Sequence, residues 1–358
     1  MGHNAFWSTT SYHTPPIQSY MTNLFKKAAV CSDSHFGAKS NSTIHNEDCL
    51  NFFRWFVQNA KEHGCEICIF LGDYHNNRAT MNIKTMQYAL KGLELLDENF
   101  QHVYYIPGNH DLFFKDTRDA NSTPWAKHLK NVTVIEDFLD VGGCTFAPWL
   151  VGDDYKKIKT MSGKYMFGHF ELPGYMLNSM VEMPDHGEIS KNDFYAYKHV
   201  FSGHFHQRQT KNNVTYIGNC FPHNYSDAGD DNRGMMILEW DKPPVFEAWP
   251  DQPVYRVYNL SDVLNNTESL LRENMHCRIN IDIDISYEEA SFIKDTFRET
   301  YNLREITLLP QKSTDVAEYD LHGNVQFESV DQIVSACINT LESKNFISAI
   351  LLEIYRDL

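Results

Sequence analysis

Five short stretches set carboxylate, amide and imidazole side chains where apolar runs end. "CSDSHFG" carries Asp33 and His35, "LGDYHNNR" carries Asp73, and "PGNHD" carries Asn109, His110 and Asp111. "FGHFE" adds His169, and "SGHFH" adds His204 and His206. Mixed nitrogen and oxygen donors of this kind suit first-row dications. Any one of these stretches alone is an ordinary turn, and an isolated histidine is usually a surface or satisfied core residue. Together they occur in a fixed order, all Gly-flanked or strand-ending, and offer Asp33, His35, Asp73, Asn109, His169, His204 and His206 to one site. In extended backbone, side chains two apart point the same way. Asp33 with His35, and His204 with His206, are therefore each expected to face one cluster, with Ser34 and Phe205 turned away.

The elements that must carry these groups follow from periodicity. Short apolar strands are expected at "AAVCSD", "EICIFLGD", "VYYIPGNHD", "KYMFGH", "HVFSGH", "VTYIGN" and "MMILEW". Cys49, Phe52, Phe53, Phe56, Val57 and Ala60 repeat at helical spacing over 46–63, with Gly64 as a stop. A second helix is expected over 82–99. Strand, helix, strand, helix, strand is α/β order, and the later, closely spaced strands suggest a mixed sheet or sandwich. Loops at the carboxyl ends of such strands are where α/β folds build their sites. The Pro-rich "DKPPVFEAWPDQP" marks a domain boundary, after which "CRINIDIDIS", "SYEEASFIKDTFRETYN" and "REITLLP" read as strand, helix and strand of a small α+β unit. Beyond a polar linker, 329–358 reads as a helical hairpin, with Ser329 and Gln332 as a capping box and two apolar stripes.

Composition narrows the class. The chain has 358 residues, ordinary apolar content and a formal net charge of −16. That charge argues against a free-standing, electrostatically driven nucleic-acid binder. No apolar run approaches the ~20 residues of a membrane-spanning helix, and residues 1–25, expected to be a flexible extension, lack the pattern of a secretory signal. The eight cysteines include one Cys-x-x-Cys, Cys65 and Cys68, without a second pair to complete a zinc site. They read as core thiols of a cytoplasmic protein.

The ordered set D-x-H, G-D, G-N-H-D, G-H, G-H-x-H is the metallophosphoesterase signature. Around it, "MFGHFELPGYMLN", "VFSGHFHQRQTKNNVTYIGNCFPHNYSDAGDDNRGMMILEWD" and "LGDYHNNRATMNIKTMQYAL" resemble the nuclease subunits of SbcCD-type repair complexes, the SbcD/meiotic recombination-eleven family, and its T-even bacteriophage branch most closely. The resemblance implies a two-sheet sandwich flanked by helices over 26–248, a DNA-capping α+β domain over 249–312, a linker over 313–328, and a hairpin over 329–358 that binds an SMC-like, ABC-type coiled-coil ATPase. It implies two Mn(2+) ions, with Mg(2+), Fe(2+) or Zn(2+) also compatible. One ion would take Asp33, His35, Asp73 and His206; the other Asp73, Asn109, His169 and His204, with Asp73 bridging. His110 would assist catalysis with Asp111 orienting it, His75 and Arg78 would lie toward double-stranded DNA, and helices 46–63 and 82–99 would form a homodimer. The expected activity is exonuclease and endonuclease cleavage in DNA repair and recombination, in the host cytoplasm for a phage-encoded protein. The rival readings are a metallophosphatase or cyclic-nucleotide phosphodiesterase sharing the cluster, and a non-catalytic scaffold, disfavoured because no ligand is missing. An acidic binding module with structural zinc fails because the ligands are spread across the chain.

Overall fold

The computed structural model describes residues 23–177 and 181–310. Most of the expected N-terminal extension, the linker and the C-terminal hairpin lie outside the described residues. Two six-stranded sheets form the body. β1 (Lys27–Cys31), β2 (Ile67–Phe70), β3 (His102–Tyr105) and β4 (Val132–Val134) run parallel in the first sheet. β5 (Leu139–Val141), β6 (Cys144–Phe146), β7 (Gly163–His169), β8 (Tyr197–Gly203), β9 (Gln209–Lys211) and β10 (Val214–Tyr216) make the second, in the order β5-β6-β7-β8-β10-β9. β11 (Gly234–Glu239) then returns antiparallel to β1, and β12 (Val245–Ala248) pairs outside it.

Strands buried on both faces read as continuous apolar runs, and β1 shows why. Ala28 and Val30 face the inter-sheet core with Ile69, Ile106, Phe146, Phe167 and Phe201, while Ala29 and Cys31 face the helices. Those helices are α1 (Thr43–Glu62) and α2 (Ile83–Asn99), close to the expected spans. Ser42 caps α1 by accepting from the His45 amide, and the stripe from Cys49 to Ala60 is buried against the first sheet. Asn82 caps α2 by accepting from the Lys84 and Thr85 amides. Cys31, Cys49, Cys68, Cys144, Cys220 and Cys277 are buried free thiols.

The unit after β12 differs from the expectation in one respect. β13 (Val254–Asn259), β14 (Met275–Ile281) and β15 (Glu305–Pro310) are all parallel, with α3 (Tyr287–Thr300) crossing between the last two. β13 lies directly behind the Pro-rich boundary and was not anticipated as a strand. The unit has its own core around Leu260, Cys277, Ile279, Phe297 and Ile306. It is tied to α1 by a bidentate ion pair, Arg304 to Asp48 at 2.6 and 2.8 Å.

Helix α2 approaches the site loops through Gly92. A Cβ there would lie 2.5 Å from Tyr74 Oη, which donates to the Ala89 carbonyl at 2.6 Å. Helix propensity favours alanine by about 1 kcal/mol, whereas overpacking a tight core costs about 1–3 kcal/mol. Gly92→Ala is expected to lower the urea midpoint; a raised midpoint would show that Tyr74 yields without cost.

Candidate metal centre

All five stretches meet at the carboxyl ends of β1, β2, β3, β7 and β8, but not by strand alternation. Asp33, His35, Asp73 and His204 have φ of 55°, 51°, 57° and 94°, in the left-handed region. Such backbone is uncommon for side-chain-bearing residues and costs free energy that the surrounding structure must supply. Here the two loops brace each other: the Asp33 amide donates to the Gly72 carbonyl at 2.9 Å, His35 to Asp73 at 3.0 Å, and Phe36 to Tyr74 at 2.8 Å. Asp33 and His35 converge because each turns inward separately. Ser34 and Phe205 are turned away as expected; Ser34 donates to the Tyr74 carbonyl and Phe205 packs on Tyr216.

The donor atoms cluster tightly. His35 Nε2 lies 3.2 Å from His206 Nε2, 3.7 Å from Asp73 Oδ2 and 3.9 Å from Asp33 Oδ1. On the other side, His169 Nε2 is 3.3 Å from Asp73 Oδ2 and 3.1 Å from Asn109 Oδ1, and His204 Nδ1 is 3.0 Å from the same amide oxygen. Ligands about 2.1 Å from a common ion sit roughly 3–4 Å apart, so both groups have the spacing of a coordination shell. Asp73 touches both and is placed to bridge. The donors therefore fit two dications: Asp33, His35, Asp73 and His206 for one, and Asp73, Asn109, His169 and His204 for the other.

Electrostatics agree with that fit. Burial pushes the Asp33 carboxyl up to about 7, with Asp73 adding to it. Burial also opposes ionisation of Asp73, but His169 holds its carboxyl well below the usual range, and Asp73 in turn lifts His169 to about 9 against burial. Burial keeps His35 and His204 low and His206 down at about 4, so these rings present neutral lone pairs, as metal ligation requires. Outer partners orient the rings, a role known to tune metal affinity. The Leu71 carbonyl is 2.6 Å from His169 Nδ1, and Glu171 is 3.4 Å from His204 Nε2. Glycine is needed where loops close on the ligands: a Cβ on Gly108 would lie 2.2 Å from Asp73 Oδ1, and one on Gly72 (φ 102°) 2.4 Å from His169 Nδ1.

His110 stands beside this cluster, its ring 4.9 Å from that of His35. Its Nδ1 is 2.7 Å from the Asn76 carbonyl, which leaves Nε2 for the cleft that His110 lines. Asp111 is placed elsewhere. Its carboxylate accepts from the amides of Gly108, Tyr74 and His75 at 3.0, 3.2 and 3.0 Å, bracing the two loops rather than orienting His110. His75 is likewise not at a DNA-facing surface: it is 1% exposed, with Nδ1 2.8 Å from Ser122 Oγ and 3.3 Å from Asp111. Arg78 is half-buried with no hydrogen bond or ion pair among the described residues. Two residues absent from the sequence reading also reach the site. Buried Arg233 donates to the His206 carbonyl and to Asn219 Oδ1. His223 packs edge-on against His35 and His206. Neither has a short-range spacing signal, although both lie in the stretch after His206 that carries the family resemblance.

A two-sheet sandwich with a bimetal-type cluster at its strand ends is the architecture of the calcineurin-like phosphoesterases, and that family's model matches residues 26–208. The chain belongs to this family. It is 31% identical over 325 residues to "Exonuclease subunit 1" of Enterobacteria phage T4, covering 86% of this chain and 91% of that protein. Among solved structures, a dimetal phosphatase from Danio rerio is similar at 10% identity and a TM-score of 0.42, covering 62% of this chain and 95% of that one. The Pseudomonas putida nuclease MPE is similar at 21% identity and a TM-score of 0.27, covering 50% and 61%.

Two outcomes follow from the electrostatics and the loop bonds. A carboxyl raised to about 7 binds its proton more tightly folded than unfolded, so its contribution is present below about pH 4 and is lost as pH rises through 7. In metal-free protein at pH 7.5, Asp33→Asn is expected to raise the melting temperature by a few degrees while abolishing the further rise produced by Mn(2+). A lower melting temperature in the metal-free variant would contradict the burial penalty. Asp111→Ala is expected to lower the melting temperature of metal-free protein, because it strips acceptors from three buried amides; an unchanged value would return Asp111 to a purely catalytic role.

Proposed function

We propose that this chain is the nuclease subunit of an SbcCD-type DNA repair and recombination complex, cleaving double-stranded DNA as an exonuclease and endonuclease with two Mn(2+) ions. The observation that carries this reading is the convergence of the full ligand set beside His110, in a chain whose relative over most of its length is called an exonuclease subunit. Two bound dications would supply Lewis acidity toward a phosphodiester and a lowered pKa for the attacking water. Asp33, His35, Asp73 and His206 would hold the first, and Asp73, Asn109, His169 and His204 the second. His110, its Nδ1 anchored on Asn76, directs Nε2 at the phosphoryl group, where it stabilises developing charge or protonates the leaving oxygen. Arg78 is the remaining candidate for backbone contact.

Two further features support the assembly. Ile44, Ile83, Met86 and Leu90 of α1 and α2 are 56%, 74%, 43% and 37% exposed, an apolar set suited to a homodimer. The compact parallel unit of β13–β15 suits a DNA cap, and residues 329–358, outside the described residues and expected from sequence to form a helical hairpin, are assigned to the ATPase. Among the described residues no helix is long and apolar enough to cross a membrane.

The test is release of label from end-labelled linear duplex with Mn(2+), Mg(2+) or EDTA. Mn(2+)-dependent release is expected, abolished in His206→Ala and reduced about 10²–10⁴-fold in His110→Ala with metal content unchanged. Hydrolysis of a phosphomonoester with duplex DNA untouched, even with the ATPase added, would identify a phosphatase instead.

A further inference from the structure

The connection from β10 back to β11 crosses the strand ends and carries a histidine into the cluster. Its path is pinned at several points. The Asn219 amide donates to the His206 carbonyl at 3.2 Å, Cys220 Sγ donates to the Ser32 carbonyl at 3.0 Å, and the His223 amide donates to Asp227 Oδ2 at 2.8 Å. His223 is 5% exposed, and its ring lies 5.5, 5.2 and 5.2 Å from those of His35, His206 and His45. His45 is already engaged, with Nε2 3.0 Å from the His35 carbonyl. His223 Nε2 has no hydrogen-bond partner. Buried imidazole nitrogen without a partner is costly and calls for an explanation. The ligating atoms of His35, His206 and His223 all lie within 4.8 Å of one another. Facing lone pairs in that arrangement are satisfied together by one cation and not by one another.

We propose that His223 is an additional protein ligand of the ion held by Asp33, His35, Asp73 and His206, making that position the more tightly occupied of the two. The other position relies on a neutral amide, Asn109, and lacks a comparable extra donor among the described residues. Binding of first-row dications is then stepwise, with the tight step at the His223 side. The inference rests on the two-metal reading of the cluster but not on the nature of the substrate. Metal titration without nucleic acid therefore separates its failure from failure of the nuclease assignment.

The experiment is Mn(2+) titration of the metal-stripped full chain, followed by electron paramagnetic resonance and calorimetry. Two steps are expected in the parent. In His223→Gln, the tighter step should weaken about tenfold or more, with the weaker step unchanged. A second variant reads proximity directly: His223→Cys loaded with Co(2+) should show a thiolate-to-cobalt charge-transfer band absent from the Co(2+)-loaded parent, because a thiolate within bonding distance ligates such an ion. Unchanged Mn(2+) steps in His223→Gln, or equal weakening of both, would overturn the proposal. So would a folded, Co(2+)-loaded His223→Cys protein without the band.

Discussion

Two buried carboxylates at the ends of adjacent parallel strands are the constraint around which this molecule is arranged. Asp33 and Asp73 are 0% and 2% exposed, and among the described residues neither is paired with a lysine or arginine. Burying like charges together is unfavourable unless cations or protons answer them. Of the surrounding imidazoles, His169 is lifted toward its charged form by Asp73 while His35, His204 and His206 are held neutral, so the rest of the compensation would fall to the ions the site is proposed to hold. Binding free energy of such ions would then also be folding free energy for the loops that carry the ligands.

That constraint explains the scaffold's division of labour. Parallel strands bring the ends of β1, β2 and β3 to one edge, and β7 and β8 bring His169 and His204 from the second sheet. The inter-sheet core of Val30, Ile69, Phe167 and Phe201 sets the distance between the two contributors. Left-handed backbone at Asp33, His35, Asp73 and His204 aims the donors, and Asp111 offsets part of its cost by accepting two amides from the opposing loop, Tyr74 and His75, and one from its own turn, Gly108. Buried Arg233 fixes the His206 backbone by donating to its carbonyl. A rigid core with strained, over-braced loops is the usual way to hold reactive groups without collapse.

Much of this was legible in the sequence because the motifs are local. Gly72 and Gly108 stand in the strings because a Cβ would strike His169 or Asp73, so a packing requirement leaves a readable trace next to each ligand. The helices were legible through the stripe from Cys49 to Ala60 and its flanking cap. What escaped was non-local. Asp33 and His35 converge as strand alternation predicts, but through left-handed backbone, since φ cannot be read from Asp-x-His. Asp111 and His75 looked functional because they adjoin ligands, but their partners come from a loop more than thirty residues away. His223 enters through the β10–β11 connection, a path set by sheet order, which no spacing along the chain encodes.

The remaining tension is between an acidic chain and an anionic substrate. A net charge of −16 repels a polyphosphate at long range, but at physiological salt exposed charges are screened beyond about 8 Å. Inside the cleft the balance reverses. Under the proposed two-ion occupancy, two dications against Asp33 and Asp73 would leave about +2, because the remaining proposed ligands are neutral once metal-bound. Lys39, at the rim, lies over the Tyr255 ring 4.9 Å from its centroid and adds a further cation on the same side. With both ions bound, the field would be positive over the span of one phosphate and negative beyond it. Such a surface would hold a phosphodiester at the point of chemistry and give little grip along a duplex. Under the proposed reading, the extended grip falls to a second copy or to the ATPase, and the acidic exterior becomes a reason for the assembly rather than an objection to it.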